Sequence, residues 1–116
     1  MKDNIDLSAL LAGVDGGAAR RLSLFALLGL GMVESLANGA LSTADAVRVF
    51  FNAQNCLYVR KKLRDKVADE VMSHGVQLHD LFEALPERES QQEFQRELGT
   101  MRSLCLRLLD LDRAVA

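Results

Sequence analysis

Leu22-Ser23-Leu24-Phe25-Ala26-Leu27-Leu28-Gly29-Leu30-Gly31-Met32-Val33 is a run of twelve residues without a charge, and its reading decides the fold. Leu24, Leu27, Leu28 and Met32 recur at helical spacing, while Phe25, Leu30 and Val33 widen the stripe nearly all round. A helix apolar on every side has to be covered on every side, so the run predicts a central helix over about residues 18–37. Gly29 and Gly31 each cost it about 1 kcal/mol relative to Ala, which suits a place where another backbone approaches closely. Asn38-Gly39 ends it.

Arg20 and Arg21 before the run imitate the start of a twin-arginine signal. The run is shorter than the roughly 20 residues that cross a bilayer. Glu34 closes it, and Asp3, Asp6 and Asp15 precede the arginines, so a buried helix is preferred to a signal or a span. The expectation is a cytoplasmic protein with no membrane association.

Outward from this run the composition is helical. Leu and Ala fill 35 of 116 positions, against 12 for Val, Ile and Thr together. Side chains that keep their rotamer freedom in a helix dominate, and those that suit a pleated sheet are scarce. The chain predicts a single all-α domain over 1–116, a compact bundle of four to five helices. Such a length buries about 65% of its unfolded surface. Aromatic residues are only 5% and Trp is absent, so the core is aliphatic. It is expected to include Leu24, Leu28, Phe50, Leu57, Leu63, Leu78, Phe82, Phe94, Leu98 and Met101. Cys56 and Cys105 both fall at apolar positions and read as reduced core thiols.

Asp6 caps a short turn of helix ended by Gly13, and Asp15-Gly16-Gly17 is a turn. Ser42-Thr43-Ala44-Asp45 approaches a capping box and starts a long second helix, about 43–73, with Gly75 as its terminator. Asn52 and Asn55 are its weakest point, where a break is most easily placed. Leu78, Leu81, Phe82 and Leu85 give a short one-sided helix over 77–85. Pro86 opens a C-terminal helix, about 87–113, with Phe94, Leu98, Met101, Cys105 and Leu108 as a seam.

No arrangement of residues calls for a catalytic centre, a cofactor or a metal. His79 and Glu83 share a helix face, but no second element supplies the remaining ligands. His74 reads as a residue near a helix C-terminus. The glycines at 13, 16 and 17 follow no strand and precede no Lys-Ser or Lys-Thr pair, so they read as a turn rather than a phosphate cradle. The serines in helical patterns have no neighbouring histidine, and Cys56 has no evident base.

Two surfaces remain. Arg60, Lys61, Lys62, Arg64 and Lys66, with Tyr58 beside them, form a basic run suited to a protein partner with an acidic surface. The run lacks the aromatic platform and helix-turn-helix glycine of a nucleic-acid reader, and the net charge is −2. Asp80 to Glu97 carries six acids against Arg88 and Arg96, so the two segments are candidates to face each other within a chain or across a dimer. Leu104, Leu106, Leu108, Leu109 and Leu111 exceed what one seam can cover, which predicts a homodimer through the last helix, unless residues 5 to 12 fold back over the same leucines. The function expected is that of a small non-enzymatic helical protein acting by protein–protein interaction. Bacterial immunity proteins, antitoxins and adaptor subunits share such compositions by class alone. The alternatives are a small-ligand binder with an apolar pocket beside Gly29 and Gly31, or a nucleic-acid-binding regulator using residues 60–66.

Overall fold

Four carboxylate, amide or hydroxyl side chains set where the helices of this chain begin. In the computed structural model, which describes residues 4–115 and side chains as far as Asp110, Asp6 accepts from the Ala9 amide at 3.2 Å and starts α1, Leu7–Ala12. Ser42 accepts from Asp45 and starts α3, Thr43–Val49. Asn52 accepts from Asn55 at 2.9 Å and starts α4, Ala53–Tyr58. Asp65 accepts from Ala68 and starts α5, Lys66–Ala84. Each side chain satisfies an amide that the first helical turn cannot pair internally. α2, Gly17–Ala37, begins instead at Gly16, whose φ of 104° favours a residue without a Cβ. α6 runs Glu87–Val115.

The protein is therefore all-helical, with six α-helices and no strand among the described residues. The long second helix expected over 43–73 is three pieces. The first break falls at Phe50–Asn52, where the amides of both Phe50 and Phe51 turn back to the Ala46 carbonyl. Each ring can then enter the core, where they meet edge to face at 5.0 Å, and Phe50 stacks on Phe25 at 6.1 Å. The second break is a π turn, Val59–Leu63, closed by the Arg64 amide on the Val59 carbonyl.

Gly75 does not terminate a helix. It lies inside α5, and a Cβ there would meet three Phe51 ring atoms at 2.2–2.4 Å. The predicted short helix 77–85 is the continuation of α5. It stops where Leu85, forced into extended backbone by the following Pro86, can no longer be helical.

α2 touches α1, α3, α5, α6 and the π turn, the central position expected of it. α6 packs along both α2 and α5. Gly29 faces the Cys105 sulfur, to which an added Cβ would come within 2.8 Å, and Arg102 donates to Glu34 at 3.0 Å. Gly31 is exposed with open space around it and admits no neighbour.

Phe50, Leu63, Leu78, Phe94, Leu98 and Met101 are buried as expected, and Leu24 and Leu28 are half-buried. Leu57 is 50% exposed. With Asn55 and Val59 turned inward one helical turn apart, Leu57 between them points to water. Phe82 leans on Phe94 at 5.4 Å yet is 38% exposed. The Ser23 hydroxyl is buried without a hydrogen-bond partner among the described residues. Ser23→Ala removes that desolvated group and is expected to raise stability by about 1 kcal/mol in urea unfolding.

Candidate interaction surfaces

The π turn arranges the basic run. Val59 and Leu63, four apart across it, both face the core, leaving Arg60, Lys61, Lys62 and Arg64 outside. Arg64 then takes a left-handed conformation, φ 52° and ψ 42°, the one non-glycine among the described residues with positive φ. Arg64, so turned, is followed by Asp65, whose side chain caps α5.

The structure divides this run in two. Arg60, Arg64 and Lys66 surround a shallow cavity that also holds Asp65 and Asp69, and Arg60 lies 3.9 Å from Asp69. Lys62 and Tyr58 face the other way, toward α1. With Ser8, Leu11, Ala12 and Arg21 they line a cavity of about 290 Å³. Lys61 lines neither. No acid lines the second cavity, and neither Arg21 nor Lys62 forms an ion pair with any described residue.

The acidic segment is not the counterpart of this run within one chain. Asp80, Glu83, Glu87, Glu89 and Glu93 sit around the α5–α6 turn, whereas the basic run precedes α5. Lys66 opens α5 and Asp80 is 14 residues along it, so even the nearest members of the two groups are about 21 Å apart at 1.5 Å per residue. Charge is thus segregated to the two ends of the helical hairpin.

His74 is not at a helix end either. It sits inside α5, and its Nδ1 lies 2.5 Å from Glu97 on α6, tying the two helices together. His79 contacts Thr43 through Nδ1 at 2.9 Å and lies 3.9 Å from Glu83. No group of three metal-ligating side chains occurs among the described residues. Cys56 and Cys105 are both free. Burial pushes the Cys105 thiol up to about 11 and raises that of Cys56 too, where nearby Arg60 works in the opposite direction. Both sulfurs are then held as neutral thiols, which are poor nucleophiles.

The leucines of α6 separate by role. Leu104 and Leu108 are buried in the chain's own core, Leu109 is half-buried, and Leu106 is 47% exposed. The side chain of Leu111 lies outside the described residues. α1 does not fold over these leucines: it packs on α2 and α4. Its Leu10 instead joins Leu11, Leu24, Leu27 and Leu28 around an apolar cavity of about 290 Å³, with Leu10 54% and Leu27 53% exposed. The Glu34–Arg102 and Gly29–Cys105 pairs set an antiparallel register between α2 and α6. That register brings Leu27 and Leu30 level with Leu106 and Leu109. The exposed leucines thus lie in two places, Leu10 and Leu27 around the α1–α2 cavity and Leu106 on α6. The Cys105 sulfur stands over Gly29 itself, on the side of α2 that faces α6.

Sequence reading passed over Arg21, Ser8 and Leu10. Arg21 was set aside with Arg20 as an imitation signal. Only the packing of α2 against the π turn brings it near Lys62, and no residue spacing encodes that. Leu27 was assigned to a helix covered all round, and its exposure follows from where α1 stops short.

No helix among the described residues is long and apolar enough to cross a membrane. A family model described as "Protein of unknown function (DUF3969)" matches residues 20–114. Neither the curated proteins nor the solved structures include a match to this chain.

Proposed function

The chain belongs to the DUF3969 family, and from its own geometry we propose that it is a non-enzymatic helical protein that works by protein–protein contact, beginning with a second copy of itself. One observation carries the reading: Leu10 and Leu27 are about half exposed around an apolar cavity of α1 and α2, Leu106 on α6 is exposed to a similar degree, and we read them as one apolar face. Contiguous apolar surface of this kind on a small protein marks a contact site. α2 and α6 are the two longest helices of the chain, so the face is rigid and extended. A face that packs on its own copy about a two-fold axis closes the assembly, which limits it to a dimer. Free thiols held neutral accord with a reducing, cytoplasmic setting.

This differs from an interface made by α6 alone, because Leu104 and Leu108 already serve the protomer's core. The variants Leu27→Glu and Leu106→Glu place a charge on the face without touching that core. Each is expected to weaken self-association at least about 100-fold, roughly 2.7 kcal/mol, with circular dichroism unchanged. Variants that remain folded and associate as strongly as the parent would move the contact elsewhere.

A further inference from the structure

We propose that the cavity between α1, α2 and the π turn is a binding site for a small organic phosphate, with Arg21 and Lys62 neutralising the phosphate and Ser8 and Tyr58 donating to it. Its lining is one-sided chemically. Arg21 offers a planar fork of donors matched to a phosphate, Lys62 a mobile point charge, and the two hydroxyls further donors. Nothing in the lining is negative, and neither cation is paired among the described residues. The neighbouring basic cavity is the contrast. There Asp65 and Asp69 stand among Arg60, Arg64 and Lys66, so that cluster is neutralised from within.

Size and floor narrow the ligand class. At about 290 Å³ the cavity is at the small end of ligand sites, near 300 Å³. Such a space admits a phosphate with a short carbon body and no long polymer. Leu11 and Ala12 supply an apolar wall for that body, and the half-buried Tyr58 ring a second one. The site shares Leu11 with the apolar cavity, but its polar groups, Ser8, Arg21, Tyr58 and Lys62, line this cavity alone of the two.

The backbone supports the assignment independently. Lys62 is carried on a π turn, and Arg64 just after it is held in a left-handed conformation that L-residues rarely adopt. Irregular turns of this kind concentrate at functional sites. Here the turn is what swings Lys62 toward Arg21 while Arg60 and Arg64 face away.

The chain supplies its own probe. Tyr58 is the single tyrosine and there is no tryptophan, so tyrosine emission reports on this cavity alone. The full chain is titrated at fixed pH and about 0.15 M salt with inorganic phosphate and with glycerol 3-phosphate. Binding of a labelled single-stranded oligonucleotide is followed separately by anisotropy. Expected is a saturable change in Tyr58 emission, tighter with glycerol 3-phosphate. It should weaken at least about tenfold, equivalent to 1.4 kcal/mol, in Arg21→Gln and in Lys62→Gln and stay unchanged in Lys61→Gln. An emission that does not saturate overturns the proposal. So does an equal loss in Lys61→Gln, which would reveal diffuse charge attraction. Oligonucleotide binding that competes with the phosphates and falls steeply with salt would replace it with a nucleic-acid surface.

Discussion

Asn55→Ala is expected to destabilise the protein by about 4 kcal/mol and to release its N-terminal segment. Asn55 is 1% exposed and is the chief polar fastening in the molecule. Its Oδ1 accepts from the Leu7 amide at 3.1 Å, while its Nδ2 donates to the Ile5 carbonyl at 2.8 Å and the Phe50 carbonyl at 2.9 Å. Truncation strands one amide and two carbonyls, and each buried polar group left unpaired costs about 1–3 kcal/mol. The lower half of that range applies, because Ile5 is only half-buried and water can reach its carbonyl. Urea unfolding checks the total, and hydrogen exchange at the Leu7 amide checks the mechanism. Asn52→Ala is the control. It removes an N-cap bond and an exposed bond to the Arg48 carbonyl and should cost about 1 kcal/mol. Equal losses in the two variants would show that the clamp is no more than a second cap.

Gly75→Ala is expected to cost about 3 kcal/mol, the reverse of the usual gain from removing glycine inside a helix. The added methyl would stand 2.2–2.4 Å from three atoms of the Phe51 ring. That ring is 1% exposed and held edge to face against Phe50. It cannot swing aside without displacing the core, and overpacking of this kind costs about 1–3 kcal/mol or more. Gly99→Ala, in α6 with open space around the glycine, should instead stabilise by up to about 1 kcal/mol. The two glycines are chemically alike, so opposite signs isolate the contact with Phe51. A stable Gly75→Ala protein would mean that α5 and the Phe50–Phe51 corner pack differently.

These two residues also mark where sequence stops informing. The all-helical fold followed from composition, and the boundaries of α2 and the starts of α3 and α6 from capping residues, Pro86 and glycines close to their structural positions. Gly75 carried the same local signal as a helix terminator. Only its distance from Phe51, 24 residues back in sequence, makes it a notch instead. Asn55 looked like a flaw in a long helix. It is a clamp because the partners it serves, Ile5 and Leu7, lie about 50 residues away. The basic run was legible as a group but not its division, since the π turn that turns Lys62 away from Arg60 and Arg64 has no sequence signature. The surplus of leucine was legible in α6, whereas the register that sets Leu106 level with Leu27 is a tertiary fact.

The central claim is that the leucine face is covered by a second copy of the chain, and sedimentation equilibrium across micromolar concentrations tests it most directly. One chain weighs 12.8 kDa. The account predicts a mass rising to twice that value and no further, with Leu27→Glu held at the single-chain mass. A parent protein that stays at 12.8 kDa throughout would contradict it.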